Sequence, residues 1–245
     1  MKNAHTERLI EWWGQSKGSG LHPEDDCFMQ SQPGRQKRLI TEDLCPIPYV
    51  GELRTAKLLV VMLNPGYDAR SQALDEQHEK AMLLNCLRQL PGTSFWPLTI
   101  KPRPDGNPPS SSRYWRSIFR SFVTSRPLPA EETYLQIARS TCCIQLVPYH
   151  SKRAPDVETC RQMPSVRQMT AWIHAEISAR QRPMIIFRGW PYLRELHNQE
   201  TDDLLVAYKP GATFLRRPSF NPQGSLSKKA AAVLADTLTK IGQEQ

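Results

Sequence analysis

The sequence predicts an α/β fold in which strands and helices alternate along a single domain spanning all 245 residues. Two short apolar runs, at 58–63 and 141–147, suit parallel strands that are buried on both faces. Segments with helical spacing of apolar residues separate such runs, and no Gly/Ser-rich linker divides the chain. Alternation of this kind implies right-handed crossovers and a mainly parallel, doubly wound sheet.

The first fifty residues are predicted to form an N-terminal helix followed by an irregular extension. Residues 6–13 have the apolar spacing of an amphipathic helix, with Thr6 as its cap and Leu9, Ile10 and Trp13 facing inward. The segment 18–50 is polar and is interrupted by prolines, which remove backbone donors. We therefore expect it to be mostly irregular.

The rest of the chain completes the alternation. We expect further helices and strands at the following positions: helices at 73–90, 113–123, 130–139, 165–180 and 226–241, and strands at 184–187 and 204–207. A long Pro-rich loop lies between 91 and 112, and it places Phe95 and Trp96 near Lys101 and Arg103. Aromatic and basic residues occur together on nucleic-acid-binding surfaces. Alternatively, the two aromatic side chains anchor the loop to the core.

Composition restricts the class of partner. Lys and Arg outnumber Asp and Glu by 32 to 24, a net charge of +8, which favours a polyanion such as DNA. No apolar run is long enough to span a bilayer and no signal-peptide core is present, so we expect a cytoplasmic protein, most simply a monomer. The six cysteines form no C-x-x-C pair and have no His at zinc-finger spacing. We expect free thiols, no metal and no cofactor.

Polar residues interrupt or end the two apolar runs. Asn64 follows the first run, in the sequence Asn-Pro-Gly, at the strand end where open α/β sheets bind ligands. Alternatively, Asn64 only begins a turn. Gln145 lies inside the second run, and an unpaired buried amide costs about 1–3 kcal/mol. It therefore either bonds to neighbouring backbone or faces a ligand. His150 is a candidate general acid or base, or else a polar surface residue.

Two segments together resemble active-site motifs of the uracil-DNA glycosylase superfamily. Residues 62–66, MLNPG, are similar to the motif G-[IM]-N-P-G of its mismatch-specific and single-strand-selective monofunctional branches. Residues 217–223, RPSFNPQ, are similar to the second motif of the single-strand-selective branch, H-P-S-P-R-N-P-Q, shortened by one residue. The resemblance covers these motifs and the strand order between them. It implies a three-layer α/β/α fold around a four-stranded sheet.

The resemblance also implies roles for individual residues in extruding a base and hydrolysing its glycosidic bond. Asn64 would orient the attacking water, and Arg217 would stabilise negative charge on the departing base. The residues expected to bind the base are Gly66, Tyr67, Phe95 and Gln145. The residues expected to contact DNA, single- or double-stranded, are Lys152, Arg153, Pro218, Ser219, Phe220 and Asn221.

Three departures from the family pattern indicate a substrate other than plain uracil. Arg217 replaces the family's His, and Gln145 replaces an Asn that contacts the base. Gly66 stands where the strict uracil enzymes have a Tyr that blocks substituents on C5 of the base. We therefore expect a modified or bulky pyrimidine, such as a 5-substituted uracil or a hypermodified cytosine of phage DNA. Asp68 is either an auxiliary acid or base or a solvated turn carboxylate.

Two alternatives of another class remain. The first is a nucleic-acid-binding module of the same fold that lacks catalysis, because the family His is absent. The second is an unrelated hydrolase that uses His150 or a Cys nucleophile, although no G-x-S-x-G, P-loop or H-E-x-x-H motif is present. Loss of base release in Asn64→Ala would separate the glycosylase from both.

Overall fold

The computed structural model describes most of the first 186 residues. The described residues are 3–31, 39–40, 44–67, 80–102, 105–152, 155–179 and 182–186, together with 235, 236 and 239. The strands among them are β1 (Leu39–Ile40), β2 (Tyr49–Val50), β3 (Leu58–Met62), β4 (Thr141–Gln145), β5 (His150–Ser151) and β6 (Met184–Ile186). The helices are α1 (Ala4–Gly14), α2 (Pro23–Gln30), α3 (80–88), α4 (Ser110–Thr124), α5 (Ala130–Ser140), α6 (Val157–Arg161) and α7 (Pro164–Ala179), with a 3₁₀ helix at Trp96–Leu98.

A four-stranded mixed sheet organises the α/β fold, with strand order β2-β4-β3-β6. β3 is parallel to both β4 and β6, whereas β2 is antiparallel to β4 at the edge. Gly51 follows β2 with φ +114°, and a Cβ added there would lie 2.5 Å from the Thr141 carbonyl oxygen. Only glycine permits both the positive φ and this close approach of β2 to β4.

The predicted strands and helices that fall on described residues are present in the structure. β3, β4 and β6 lie within the predicted apolar runs, and α4, α5 and α7 match three predicted helices to within a few residues. α3 lies within the helix predicted at 73–90. Residues 235, 236 and 239 are helical and lie within the predicted final helix, while the strand at 204–207 lies outside the described residues.

The core forms one cluster on each face of the sheet. Alternate residues of β3 and β4 enter opposite clusters, as strand geometry requires. Leu59, Val61, Cys142 and Ile144 pack with apolar residues of α1 and α7. Leu58, Val60, Met62 and Cys143 pack with Phe95, Trp96 and the inward faces of α4 and α5. Both strands are therefore buried on both faces, which confirms the prediction from their continuous apolar sequence.

The prediction that residues 18–50 are mostly irregular missed three short elements of regular structure. This segment contains α2, and its two short strands pair with β5 and β4. α2 begins at Pro23, and the His22 side chain caps it by accepting a hydrogen bond from Glu24 N at 3.3 Å. Proline is favourable in the first helical turn because the N–H it lacks has no helical partner there. Prolines in this segment thus begin structure as well as end it.

The prediction that Thr6 caps the first helix is also wrong, because Asn3 occupies the N-cap position and Thr6 is buried inside α1. Thr6 Oγ1 accepts a hydrogen bond from Trp172 Nε1 at 3.1 Å. Asn3 Nδ2 donates to Glu176 Oε1 at 2.9 Å, which attaches the start of α1 to α7. Within the part of the chain that the structure describes, no helix combines the length and apolar character needed to cross a membrane.

Candidate functional site

The candidate site lies where β3 and β4 end side by side. Beyond the strands the two segments continue in register, because Leu146 N donates to Met62 O at 3.0 Å and Val147 N donates to Leu63 O at 2.8 Å. Farther on, Ser151 N donates to Pro65 O at 3.3 Å. The carboxyl ends of parallel strands are where open α/β sheets bind ligands.

The Asn64 side chain is held in one orientation at this edge. Its Nδ2 lies 2.6 Å from the Pro65 carbonyl oxygen and 2.8 Å from Ser151 Oγ. A carbonyl oxygen only accepts, so the amide nitrogen rather than the amide oxygen must face Pro65. Both amide hydrogens have acceptors in this arrangement. Asn64 Oδ1 is therefore the atom of this half-buried side chain that keeps its capacity to accept a hydrogen bond.

His150 is buried rather than on the surface, with 2% of its area exposed. Its Nδ1 lies 3.0 Å from the Gly66 carbonyl oxygen, which places a hydrogen on Nδ1. Burial lowers the pKa of His150, and the carbonyls of Gly66 and Cys45 oppose that effect only in part. The imidazole is therefore neutral at pH 7, and it joins β5 to the segment that follows Asn64.

A buried network supports the segment that carries His150 and Ser151. Tyr149 donates its hydroxyl hydrogen to Asp25 Oδ2, and its oxygen accepts from His22 N at 3.0 Å. Asp25 Oδ1 accepts from Ser165 N at 2.9 Å. Burial raises the pKa of Asp25, more than its hydrogen bonds lower it. Residues of α2 and α7 thereby fix the position of β5.

Gln145 ends β4 with an incomplete set of hydrogen bonds. It lies opposite Met62 of β3, and its side chain is 8% exposed. Its Nε2 makes one weak contact, 3.9 Å from Cys143 Sγ. Its Oε1 is buried and has no hydrogen-bond partner within the described part of the chain. Of the two alternatives given for Gln145, bonding of this oxygen to neighbouring backbone is thus not observed.

Phe95 anchors the Pro-rich loop to the core. Its side chain is fully buried, and its ring centroid lies 4.8 Å from that of Trp115 in an edge-to-face arrangement. Phe95 N donates to Ala138 O at 3.0 Å, and the neighbouring Trp96 is 6% exposed. In this structure both aromatic residues therefore anchor the loop to the core, which is the second of the two alternatives given for them.

Three further predicted residues flank Asn64 and Ser151. Gly66 is exposed, and a Cβ added to it would meet no atom of the described residues within 4 Å. Tyr67 is half-buried, and the Nζ atom of the exposed Lys152 lies 5.8 Å from its ring centroid. The site thus has open space beside Gly66 and a cation at its rim.

Five of the predicted site residues lie at this edge of the sheet. Gln145 ends β4, Asn64, Gly66 and Tyr67 follow β3, and Lys152 follows β5. The remaining predicted residues lie outside the described residues: Asp68, Arg153, Arg217, Pro218, Ser219, Phe220 and Asn221. The contact between Ser151 and Asn64 has no signal in the sequence, because 87 residues separate them and the strand pairing brings them together.

The thiols belong to no metal site found in the described residues, and three of them are held in the protonated form. All six cysteines lie in the described residues and carry thiols rather than disulfides, as predicted. Burial raises the pKa of Cys86 to about 11, and it also raises the pKa values of Cys142 and Cys143. These three are therefore protonated at neutral pH and poor nucleophiles. No group of three or more His, Cys, Asp or Glu residues suited to a metal ion occurs in the described ranges.

The polar edge formed by Asn64, Gln145, His150 and Ser151 is the strongest candidate site in the described part of the chain. Comparison with protein-family models, with curated proteins and with solved structures found no match to this chain.

Proposed function

We propose that the protein is a monofunctional DNA glycosylase that extrudes a modified or bulky pyrimidine and hydrolyses its glycosidic bond, leaving an abasic site. The observation that carries this proposal is the orientation of Asn64. Its amide nitrogen bonds to Pro65 and Ser151, so its oxygen is directed away from them and has no hydrogen bond to any described residue. An acceptor in this position holds a water through one hydrogen and leaves the water's lone pair free to attack.

The chemistry requires positioning rather than a strong base. Water oxygen bonds to the anomeric carbon while the glycosidic carbon–nitrogen bond breaks, and the bonding electrons leave with the base. The sugar passes through an oxocarbenium-like state, which a weakly activated water attacks readily. The proton released from the water passes to solvent or to the departing base. Asn64 contributes alignment, and the always-charged Arg217 is proposed to stabilise the anionic base.

Other features of the described residues support a base-sized ligand on DNA. Gln145 Oε1 is a buried acceptor at the end of the adjacent strand, available to a donor on the ligand. The open space at Gly66 accommodates a substituent on a pyrimidine ring. The net charge of +8 and the exposed Lys152 favour a phosphate backbone as partner. The proposal does not require Phe95 to stack on the base.

The test is base release measured by mass spectrometry. The protein is incubated with DNA that contains uracil, thymine mismatches, 5-hydroxymethylcytosine or glucosylated cytosine. We expect release of one modified pyrimidine, and a loss of more than about 100-fold in Asn64→Ala. Asn85→Ala is the matched control, because Asn85 is exposed on α3 and remote in sequence from the site. Equal activity of the Asn64→Ala and wild-type proteins would exclude the proposed mechanism.

The same experiment separates the two alternatives. DNA binding without release of any base would support the inactive binding module. Activity that survives Asn64→Ala but is lost on substitution of a Cys or of His150 would support an unrelated hydrolase.

A further inference from the structure

We propose that Ser151 is a positioning residue that fixes the Asn64 amide with Oδ1 directed at the ligand, an inference that rests on the proposed function. The two residues come from different segments, and the 2.8 Å hydrogen bond between Asn64 Nδ2 and Ser151 Oγ is the side-chain contact that joins them. Neither charge nor sequence spacing distinguishes Ser151 from other serines of the chain.

Of the two acceptors on Asn64 Nδ2, Ser151 is the one that ties the amide to the fold. The other, the Pro65 carbonyl, belongs to the next residue and moves with Asn64. Ser151 is held from both sides, since it forms a parallel bridge with Gly66 and pairs antiparallel with Leu39. Only 4% of its area is exposed, so water does not compete freely for its hydroxyl. Its oxygen is therefore a fixed acceptor.

Loss of this acceptor changes the chemistry that Asn64 offers. The two ends of an amide have nearly the same shape and opposite hydrogen-bonding character. When the hydroxyl is absent, the Pro65 carbonyl is the one described acceptor left to oppose rotation of the amide, which brings Nδ2 to the position of Oδ1. A water bound to Nδ2 is held by its lone pair, which then points away from the sugar. Substrate still binds, but the water is misdirected.

The variants that test this are Ser151→Ala and Ser151→Thr. Ser151→Ala removes the acceptor, and we expect kcat to fall about five- to tenfold with little change in KM, the size of one neutral hydrogen bond. Ser151→Thr keeps the hydroxyl and should restore most of kcat. Ser140→Ala is the control, because Ser140 is also 4% exposed but lies before β4, where its hydroxyl donates to Gln136 O at 2.8 Å. We expect Ser140→Ala to leave kcat unchanged.

A second measurement follows the amide directly and does not depend on turnover. The side-chain NH₂ resonances of Asn64 are identified in NMR spectra by their absence in Asn64→Ala, and their hydrogen exchange is measured. We expect slow exchange in the wild-type and Ser151→Thr proteins and fast exchange in Ser151→Ala. Unchanged exchange in Ser151→Ala would overturn the positioning role, whatever the activity. If no base is released but the exchange behaves as expected, the glycosylase proposal fails and the orientation of Asn64 by Ser151 stands.

Discussion

Two buried glutamine side chains, one after α3 and one at the end of β4, differ in how fully they are hydrogen-bonded. Gln89 lies just after α3 and is 5% exposed. Its amide oxygen accepts from Leu53 N, and its nitrogen donates to the carbonyls of Gly51 and Cys86, each at 2.9 Å. This amide thus bonds through its oxygen and both of its hydrogens, and it connects the segment after β2 to α3.

Gln145 is buried to a similar degree but lacks such bonds. It is 8% exposed, its nitrogen contacts only a sulfur at 3.9 Å, and its oxygen has no partner in the described residues. Burial of an amide therefore does not mark a site. A buried acceptor left without a donor is a candidate for a site, because a ligand that supplies the donor offsets its free-energy cost.

The largest effect on stability is expected for Gln89→Ala. The substitution removes the side-chain partner of Leu53 N and of the Gly51 carbonyl, and each unsatisfied buried group costs about 1–3 kcal/mol. The Cys86 carbonyl keeps the backbone N–H of residue 89 as a donor at 3.0 Å. We expect the free energy of unfolding, measured with denaturant, to fall by about 3 kcal/mol or more. Gln30→Ala is the control, because Gln30 is exposed on α2 and should cost less than about 0.5 kcal/mol. A loss below about 1 kcal/mol for Gln89→Ala would remove the contrast between the two glutamines.

A smaller, pH-dependent effect is expected for Asp25→Asn. Burial raises the pKa of Asp25 in the folded protein above its value in the unfolded chain. The stability that protonated Asp25 contributes is present below the unfolded pKa and is lost as pH rises through the folded pKa. The wild-type protein should therefore lose stability relative to Asp25→Asn over that interval. Unfolding titrations at several pH values measure this difference, and a gain by wild type with rising pH would contradict it.

The smallest effect on stability is expected for Gln145→Leu, which replaces the unpaired amide by an apolar side chain of similar size. We expect the free energy of unfolding to stay within about 1 kcal/mol of wild type, because no strong hydrogen bond is lost. Base release should nevertheless fall by about tenfold or more, since the ligand loses an acceptor. A destabilisation as large as that of Gln89→Ala would show that Gln145 has structural partners and would weaken its assignment to the site.

Much of the fold could be predicted from local sequence. β3 and β4 followed from continuous apolar runs, and α4, α5 and α7 followed from apolar residues at helical spacing. β2 was missed because two residues among prolines carry no periodic signal, and its place is set by pairing with β4. α2 was missed because its proline indicates a break as readily as a first helical turn.

The site was predictable only where its residues interrupt or end an apolar strand. Asn64 and Gln145 are polar residues in or directly after buried runs, and both lie at the predicted edge. Ser151 and the buried state of His150 could not be predicted, because they depend on the pairing of β5 with β1 and with the segment after Asn64. The Phe95 alternatives could not be separated from sequence either, since contact with Trp115 decides between them.

The attachment of α1 to α7 has a consequence for synthesis on the ribosome. Asn3 and Glu176 are 173 residues apart, so the first polar contacts of the chain have no partner until α7 has been made. At about 5–20 residues per second this takes roughly ten to thirty seconds. Throughout that time the apolar face of α1, which carries Trp12 and Trp13, lacks the cover that α7 provides in the finished protein. Apolar surface exposed in this way is prone to aggregation, and faster elongation would shorten the time for which α1 is exposed.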